Sequence, residues 1–362
     1  MTVTPVAPVA VRPSLRQRLG TPWLIVRRLL AVPVVLFFLA GIVFVAMRLL
    51  PGSPATSLAA GGASGDTSAA EITRNQARIN EALGLDQSLA HQYGDFLHSL
   101  VTFDLGSSFF GGTKVTSLLG GSLPATIELT VAAMLIAVGL GLVTGVIAAL
   151  RKDTWVDSSI RTAGTIGFSL PWFALGVLAV VVFGVWLGWL PVIGRLPNQL
   201  DYKPFTNFVL LDAILQNRPE LVWPWIQHLI LPATTLALSM AGFITRIVRA
   251  SVLEVLGDDF VRTARMKGLS GGQILRRHVL RNSSLPIVTV LGLQFGSLLG
   301  GSVITETVFS YPGVGNQLVN AILQRDYPVV QGAALAIALL FVLVNVVVDL
   351  LYLVLDPRLR KA

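Results

Sequence analysis

Four histidines, His91, His98, His228 and His278, stand far apart in the chain, and neither a His-Glu-x-x-His nor a serine-elbow pattern occurs. Metal-ligand spacing and a nucleophile with its base are therefore both missing at the level of local sequence. Gly106 and Gly111 have the first spacing of a phosphate-binding loop, but Gly112 fills the position that needs lysine and Lys114 comes two residues late. If this chain drives uphill movement, nucleotide must be hydrolysed on another chain. The arrangement that stands out is mechanical. Between Asp258 and Pro286 runs a polar, basic helix-turn-helix flanked by two apolar stretches. Asp258 and Asp259 suit a helix N-terminus, Arg265 and Lys267 suit its C-terminus, and Gly268 can close it with a left-handed residue. Ser270 followed three residues later by Gln273 has the spacing of a capping box, so a second helix is expected through Ile274, Leu275, His278 and Val279 to Leu285 and Pro286.

The elements that must carry this pair are membrane spans. Of the 362 residues 53% are hydrophobic and 13% charged, and the mean hydropathy is +0.72, which excludes an ordinary soluble domain. The fold class expected is all-α, a polytopic membrane protein with six transmembrane helices, because about 20 apolar residues at 1.5 Å each cross roughly 30 Å of hydrocarbon. The spans are placed near Leu29 to Met47, Leu129 to Leu150, Thr162 to Leu190, Leu229 to Val248, Leu285 to Ile304 and Val330 to Val348. In the third, Pro171 predicts a kink or a re-entrant start. A polar tail over residues 1–28 precedes them, an outer segment covers 48–128, the helix-turn-helix loop covers 249–284, and a short tail follows over 356–362. The outer segment is expected to open on a Gly/Ala/Ser-rich stretch from Gly52 to Ala70 and to continue as helix-like sequence from Glu71 to Leu100.

Charge sets the expected orientation, since Lys and Arg are retained on the cytoplasmic side. With both termini inside, basic residues on the outer side reduce to Arg48, Arg74, Arg78, Lys114, Arg195, Lys203, Arg218 and Arg325, and the rest of the 27 fall inside. The formal charge of +8 is thus a topology signal, and nucleic acid is not an expected partner. Glu128, Arg246, Glu306 and Asp349 all lie near span ends. With no ionisable group at mid-depth, an ion-coupled secondary transporter is disfavoured. The absence of cysteine excludes disulfides within the chain. The loop from Pro191 to His228, rich in aromatic residues and proline, is open to two readings, an interfacial aromatic belt or a contact surface for an extracytoplasmic partner.

The segment Val261-Arg262-Thr263-Ala264-Arg265-x-Lys267-Gly268, followed by His278-x-Leu280-Arg281-Asn282, resembles the coupling loop of binding-protein-dependent ABC importer permeases, in the version of the dipeptide and oligopeptide permease family. Further stretches in the order of that family are Arg48 to Pro54, Leu83 to Gln87, Gln92-Tyr93, Asp104 to Ser108, Leu123 to Thr126, Glu306 to Gly315 and Asp356 to Arg358. The resemblance implies the ABC type I importer transmembrane fold and a permease without enzymatic activity. It implies a second homologous permease subunit, two ABC ATPase subunits that hold ATP and Mg, an extracytoplasmic solute-binding protein and a multi-pass place in the bacterial inner membrane. The implied cargo is a di- or oligopeptide, with nickel and glutathione as alternatives in related systems. No cofactor or metal is expected on this chain.

Two sets of residues carry these expectations. Phe260, Thr263, Ala264, Met266 and Gly268 are expected in or beside a groove on an ATPase, with Arg262 and Arg265 at its polar rim. In the fifth span Gly292, Gly296 and Gly300 recur every four residues as a packing ridge. On roughly the opposite face Gln294, Ser297, Gly301 and Thr305 form a polar, small strip that suits the lining of a translocation path, although interhelical hydrogen bonding would use the same residues.

Overall fold

The structure, a computed structural model, describes residues 15–49, 73, 77, 78, 80, 81, 84 and 86–355. Of the expected tail over 1–28, residues 1–14 lie outside the described residues and the rest is helical, the first helix starting at Leu15; the tail over 356–362, the Gly/Ala/Ser-rich stretch and most of the Arg48 to Pro54 stretch also lie outside the described residues. Among the described residues the secondary structure is helical apart from one isolated bridge between Ser107 and Lys114.

Five helices are long and apolar enough to cross a membrane: α1 (Leu15–Leu49), α3 (Val115–Leu150), α7 (Val222–Leu256), α10 (Leu280–Val308) and α12 (Tyr327–Leu355). α4 (Trp155–Ser169) and α5 (Trp172–Ala179), the latter extended by a π-turn over Val180–Trp186, form a pair bent by 100° that makes a sixth crossing if the two limbs count as one span. The expected single third span is therefore broken. Its cause is local: Leu170 (φ −81°, ψ 132°) and Pro171 (φ −60°, ψ 139°) are both extended, as the steric demand of proline on its predecessor requires. Short helices complete the chain: α2 (Leu89–Val101), α6 (Val209–Leu215), α8 (Asp259–Met266), α9 (Gly271–Ile274) and α11 (Val314–Gln324). The end of the bundle that carries α8 and α9 is called the elbow side below, and the other the far side.

The second and fourth spans exceed their expected lengths. At 36 residues, α3 is about 54 Å long, well beyond roughly 30 Å of hydrocarbon. Its far-side turns are polar, and hydropathy alone ends the span at Leu129. In the structure those polar groups are bonded laterally: Ser122 Oγ donates to Gln317 at 2.7 Å and Thr126 Oγ1 to Glu306 at 2.7 Å. The helix continues because its neighbours satisfy it.

The central contact is α3 against α7. Small residues permit it: a Cβ on Gly141 would strike Ile244, and one on Gly145 would strike Val248. Ala125, Leu129, Ala133 and Ala137 of α3 and Leu236, Ala237, Ile244 and Val248 of α7 are buried there. The α4 limb also crosses α7 at glycines, Gly164 facing Gly242 so closely that a side chain on Gly242 would meet the Gly164 backbone. On the outer edge α1 lies against α12, and Phe96 of α2 packs on Phe44 of α1. Phe38, Ile42, Leu135 and Val143 point outward and exposed, as lipid-facing positions require.

Candidate functional site

The turn after α8 is a complete Schellman motif. Leu269 N–H donates to Ala264 O at 3.3 Å and Gly268 N–H to Arg265 O at 2.9 Å, with Gly268 at φ +79°, the left-handed residue such a cap needs. Next comes the capping box, Gln273 N–H donating to Ser270 Oγ at 3.4 Å and Ser270 N–H to Gln273 Oε1 at 3.0 Å. Asp258 is the N-cap residue of α8 but its side chain makes no capping bond. The second helix does not stop at the membrane. From α9 it passes through a π-turn over Leu275–Val279 directly into α10, so the elbow and the fifth span are one continuous piece.

Val261, Ala264, Ile274 and Val279 are buried in the same core as Val248, Val252 and Val255 of α7. Each buried Val or Ile contributes about 1.5–3 kcal/mol, which welds the elbow to the fourth and fifth spans. The expected contact set divides accordingly. Ala264 is 6% exposed and faces inward, which corrects its placement at an external groove: on an eight-residue helix it shares a face with Val261. Phe260 (40% exposed) and Met266 (81% exposed) point out, and Arg262, Thr263, Arg265 and Gly268 are exposed around them. Arg262 pairs with Asp259 at 3.5 Å in full solvent, an interaction of little energetic weight. The outward face is thus two apolar side chains rimmed by two arginines.

The strip on α10 also divides. Gln294 and Ser297 border a 440 Å³ cavity at mid-depth, together with Phe168, Pro171, Trp172 and Ser239. Gly301 instead receives the Trp172 ring, which a Cβ would meet at 2.6 Å, and Thr305 is buried with its hydroxyl unbonded among the described residues. Gly301 therefore packs against Trp172 of the α4–α5 bend instead of lining the cavity, and Thr305 is buried one turn further along α10. In the glycine ridge, Gly292 and Gly296 press on Val348 and Phe341 of α12, whereas Gly300 is exposed with no atom near its missing side chain. The cavity wall contributed by the bend escaped sequence analysis, although Pro171 marks its position.

Two ionic clusters were also not foreseen. On the elbow side Asp157 of α4 is fully buried, accepts two 2.7 Å bonds from Arg249 of α7, and lies 3.5 Å from Arg161. On the far side Glu128 accepts from Arg195 at 2.5 Å, from Trp225 Nε1 at 2.9 Å and from Val209 N–H at 2.7 Å. That fastens the loop after α5 to the top of α3. Asp212 in the same loop is fully buried, which raises its carboxyl, but bonds from Thr206, Tyr202 and Phe205 outweigh burial and hold it below the usual range. The aromatic-rich loop is therefore an ordered ledge with Phe205 and Trp223 exposed on it.

Residues 141–361 match the family described as binding-protein-dependent transport system inner membrane component, and residues 23–130 match the N-terminal portion described for the same kind of membrane component. The chain is 41% identical over 325 residues to the di/tripeptide transport system permease protein DppB of Pseudomonas aeruginosa, covering 88% of this chain and 92% of the relative. It is 42% identical over 321 residues to the probable D,D-dipeptide transport system permease protein DdpB of Escherichia coli K12, with the same shares covered. It is 39% identical over 336 residues to the glutathione transport system permease protein GsiC of Escherichia coli O6:H1, covering 93% and 98%. Among solved structures, a chain of the inward-facing MetNI methionine ABC transporter superposes with a TM-score of 0.50 at 17% identity, over 66% of this chain and 96% of that one. That likeness concerns the fold. A bundle of apolar spans, a bent third crossing and a capped elbow fused to the fifth span thus accompany sequence matches over most of the chain, and the chain belongs to the family of inner membrane components of binding-protein-dependent transport systems.

Proposed function

We propose that this subunit forms half of the translocation path of an ATP-driven importer of di- and oligopeptides. The observation that carries the reading is the elbow. Its outward surface presents Phe260 and Met266, about 120° apart around the helix, with Arg262 and Arg265 beside them, exposed apolar side chains among charged ones that a groove on another protein can take up, and it is continuous with the spans. Two ATPase subunits would supply ATP and Mg, one receiving this elbow and the other that of a second, homologous permease. A solute-binding protein would deliver cargo at the far side. In this arrangement the elbow side is cytoplasmic, both termini are cytoplasmic, and the ledge around Glu128 and Asp212 faces out. The chain itself performs no bond chemistry. Its part is to convert closure of the ATPases into a change in the tilt of α7 and α10, since a contact moves a partner only if it differs between two states.

Peptide cargo is favoured by relatives named for peptides, and by a cavity that mixes aromatic walls with Gln294, Ser297 and Ser239. A relative named for glutathione makes that compound the second candidate. The test is reconstitution of the complete complex in liposomes with its binding protein. ATP-dependent accumulation of a labelled dipeptide or tripeptide is expected, and accumulation of glutathione alone moves the assignment to the second candidate. Uptake without ATP hydrolysis would refute the mechanism.

A further inference from the structure

Below the mid-depth cavity, toward the elbow side, lies a second one of 380 Å³ between α4 and α7. Its wall includes Arg161, Thr165, Arg246 and Arg249, with Gly164 and Gly242 at its back. The two cavities share helix faces. On α4, Arg161, Thr165 and Phe168 follow at steps of four and three residues, and on α7 Ser239, Phe243 and Arg246 do the same, so each triplet lies along one side of its helix. Between the cavities Phe168 and Phe243 stack, with ring centroids 6.0 Å apart and planes at 27°. The order from mid-depth to the elbow side is therefore an apolar cavity with a few amides and hydroxyls, an aromatic pair, then a basic pocket.

Charge in that pocket is unbalanced. The nearest buried carboxylate, Asp157, is taken by two bonds from Arg249 and by Arg161 at 3.5 Å. Arg246 is exposed and has no acidic partner among the described residues. A topology signal needs only a positive charge at the membrane surface, whereas this one lies one turn beyond the aromatic pair, on the same helix face as Ser239. An arginine fork matches the two oxygens of a carboxylate, and its exposure keeps the interaction weak enough for a ligand that must leave again.

We propose that Arg246, backed by Arg161 and Thr165, is a transient subsite for the terminal carboxylate of the cargo after it has passed the Phe168–Phe243 pair. The proposal rests on the peptide reading above. It assigns to the permease itself a preference for a free C-terminus, separate from any choice made by the binding protein.

The test uses proteoliposomes holding the complete complex and its binding protein, and compares initial uptake of one labelled tripeptide as the free acid and as its C-terminal amide. The acid-to-amide ratio of each variant is divided by that of the wild type, which cancels selection made before the peptide reaches the membrane. Arg246→Gln is expected to lower this quotient about tenfold and Arg246→Lys by about threefold or less, because lysine keeps the charge and loses the fork. A quotient within about twofold of unity for Arg246→Gln overturns the subsite. So does a rate that follows the anionic lipid content of the liposomes instead, which would assign the pocket to a phospholipid headgroup. If the wild type carries only the acid, the acid rate is read alone: Lys retaining about half and Gln about a tenth supports the subsite, and equal loss in both overturns it. A wild type that takes up no peptide refutes the peptide assignment instead, and is recognised by its failure before any variant is made.

Discussion

At Gly268 the space around the missing side chain is open, so the cost of replacing it comes from the backbone alone. A residue with a Cβ held at φ +79° loses about 1–2 kcal/mol, and a β-branched one loses more. Gly268→Ala should leave most uptake intact. Gly268→Val should loosen the turn between α8 and α9 and lower the number of peptides imported per ATP hydrolysed, at unchanged amount of protein in the membrane. Simultaneous assay of hydrolysis and uptake checks this, and parallel loss of both would place the glycine in folding. The left-handed turn and the Ser270 box were legible because each rests on residues within five positions of one another. The inward direction of Ala264 was not, since a short helix with Val261, Ala264, Phe260 and Met266 offers an apolar patch on either side, and only the packing of Val252 and Ile274 selects between them.

The same division holds for whole helices. Six crossings follow from hydropathy, and the break at Pro171 follows from the conformational restriction proline places on Leu170. The extent of α3 does not, because Ser122, Thr126 and Glu128 read as the end of a span until Gln317, Glu306 and Arg195, distant in sequence, are seen to bond them. The Asp157–Arg249 pair is likewise nonlocal, joining the start of α4 to the elbow end of α7. It fixes the α4–α5 limb against the elbow end of α7, so its rupture should matter more than its removal. Asp157→Asn leaves Arg249 with a neutral partner in a buried site, whereas the double variant Asp157→Asn with Arg249→Met removes the charge altogether. The double variant should be more abundant in the membrane and more heat-stable than Asp157→Asn alone, as measured by quantitative blotting and thermal aggregation of the solubilised complex. A double variant worse than Asp157→Asn would mean that the positive charge of Arg249 has a role beyond the pair.

For the molecule as a whole, two surfaces of the bundle stand open. Its mid-depth cavity is open on one side, where Phe168 and Phe173 are about half exposed, and its elbow ends in exposed apolar side chains. On the function proposed above both would meet other chains, and the absence of native cysteine makes an elbow contact directly testable. Met266, at 81% exposed, is the position to label, whereas Ala264 is buried against the spans. A single cysteine at Met266 should form a disulfide with a cysteine placed in the groove of the ATPase, fastest when hydrolysis is arrested with nucleotide bound. A cysteine at Ala264 should react about tenfold more slowly, because thiolate access governs the rate. Equal rates at the two positions would mean that α8 unfolds from the spans during the cycle, and a rigid lever could then no longer transmit the force. Cross-linking at Met266 that blocks uptake while leaving peptide binding outside intact would identify the elbow as the moving contact between motor and path.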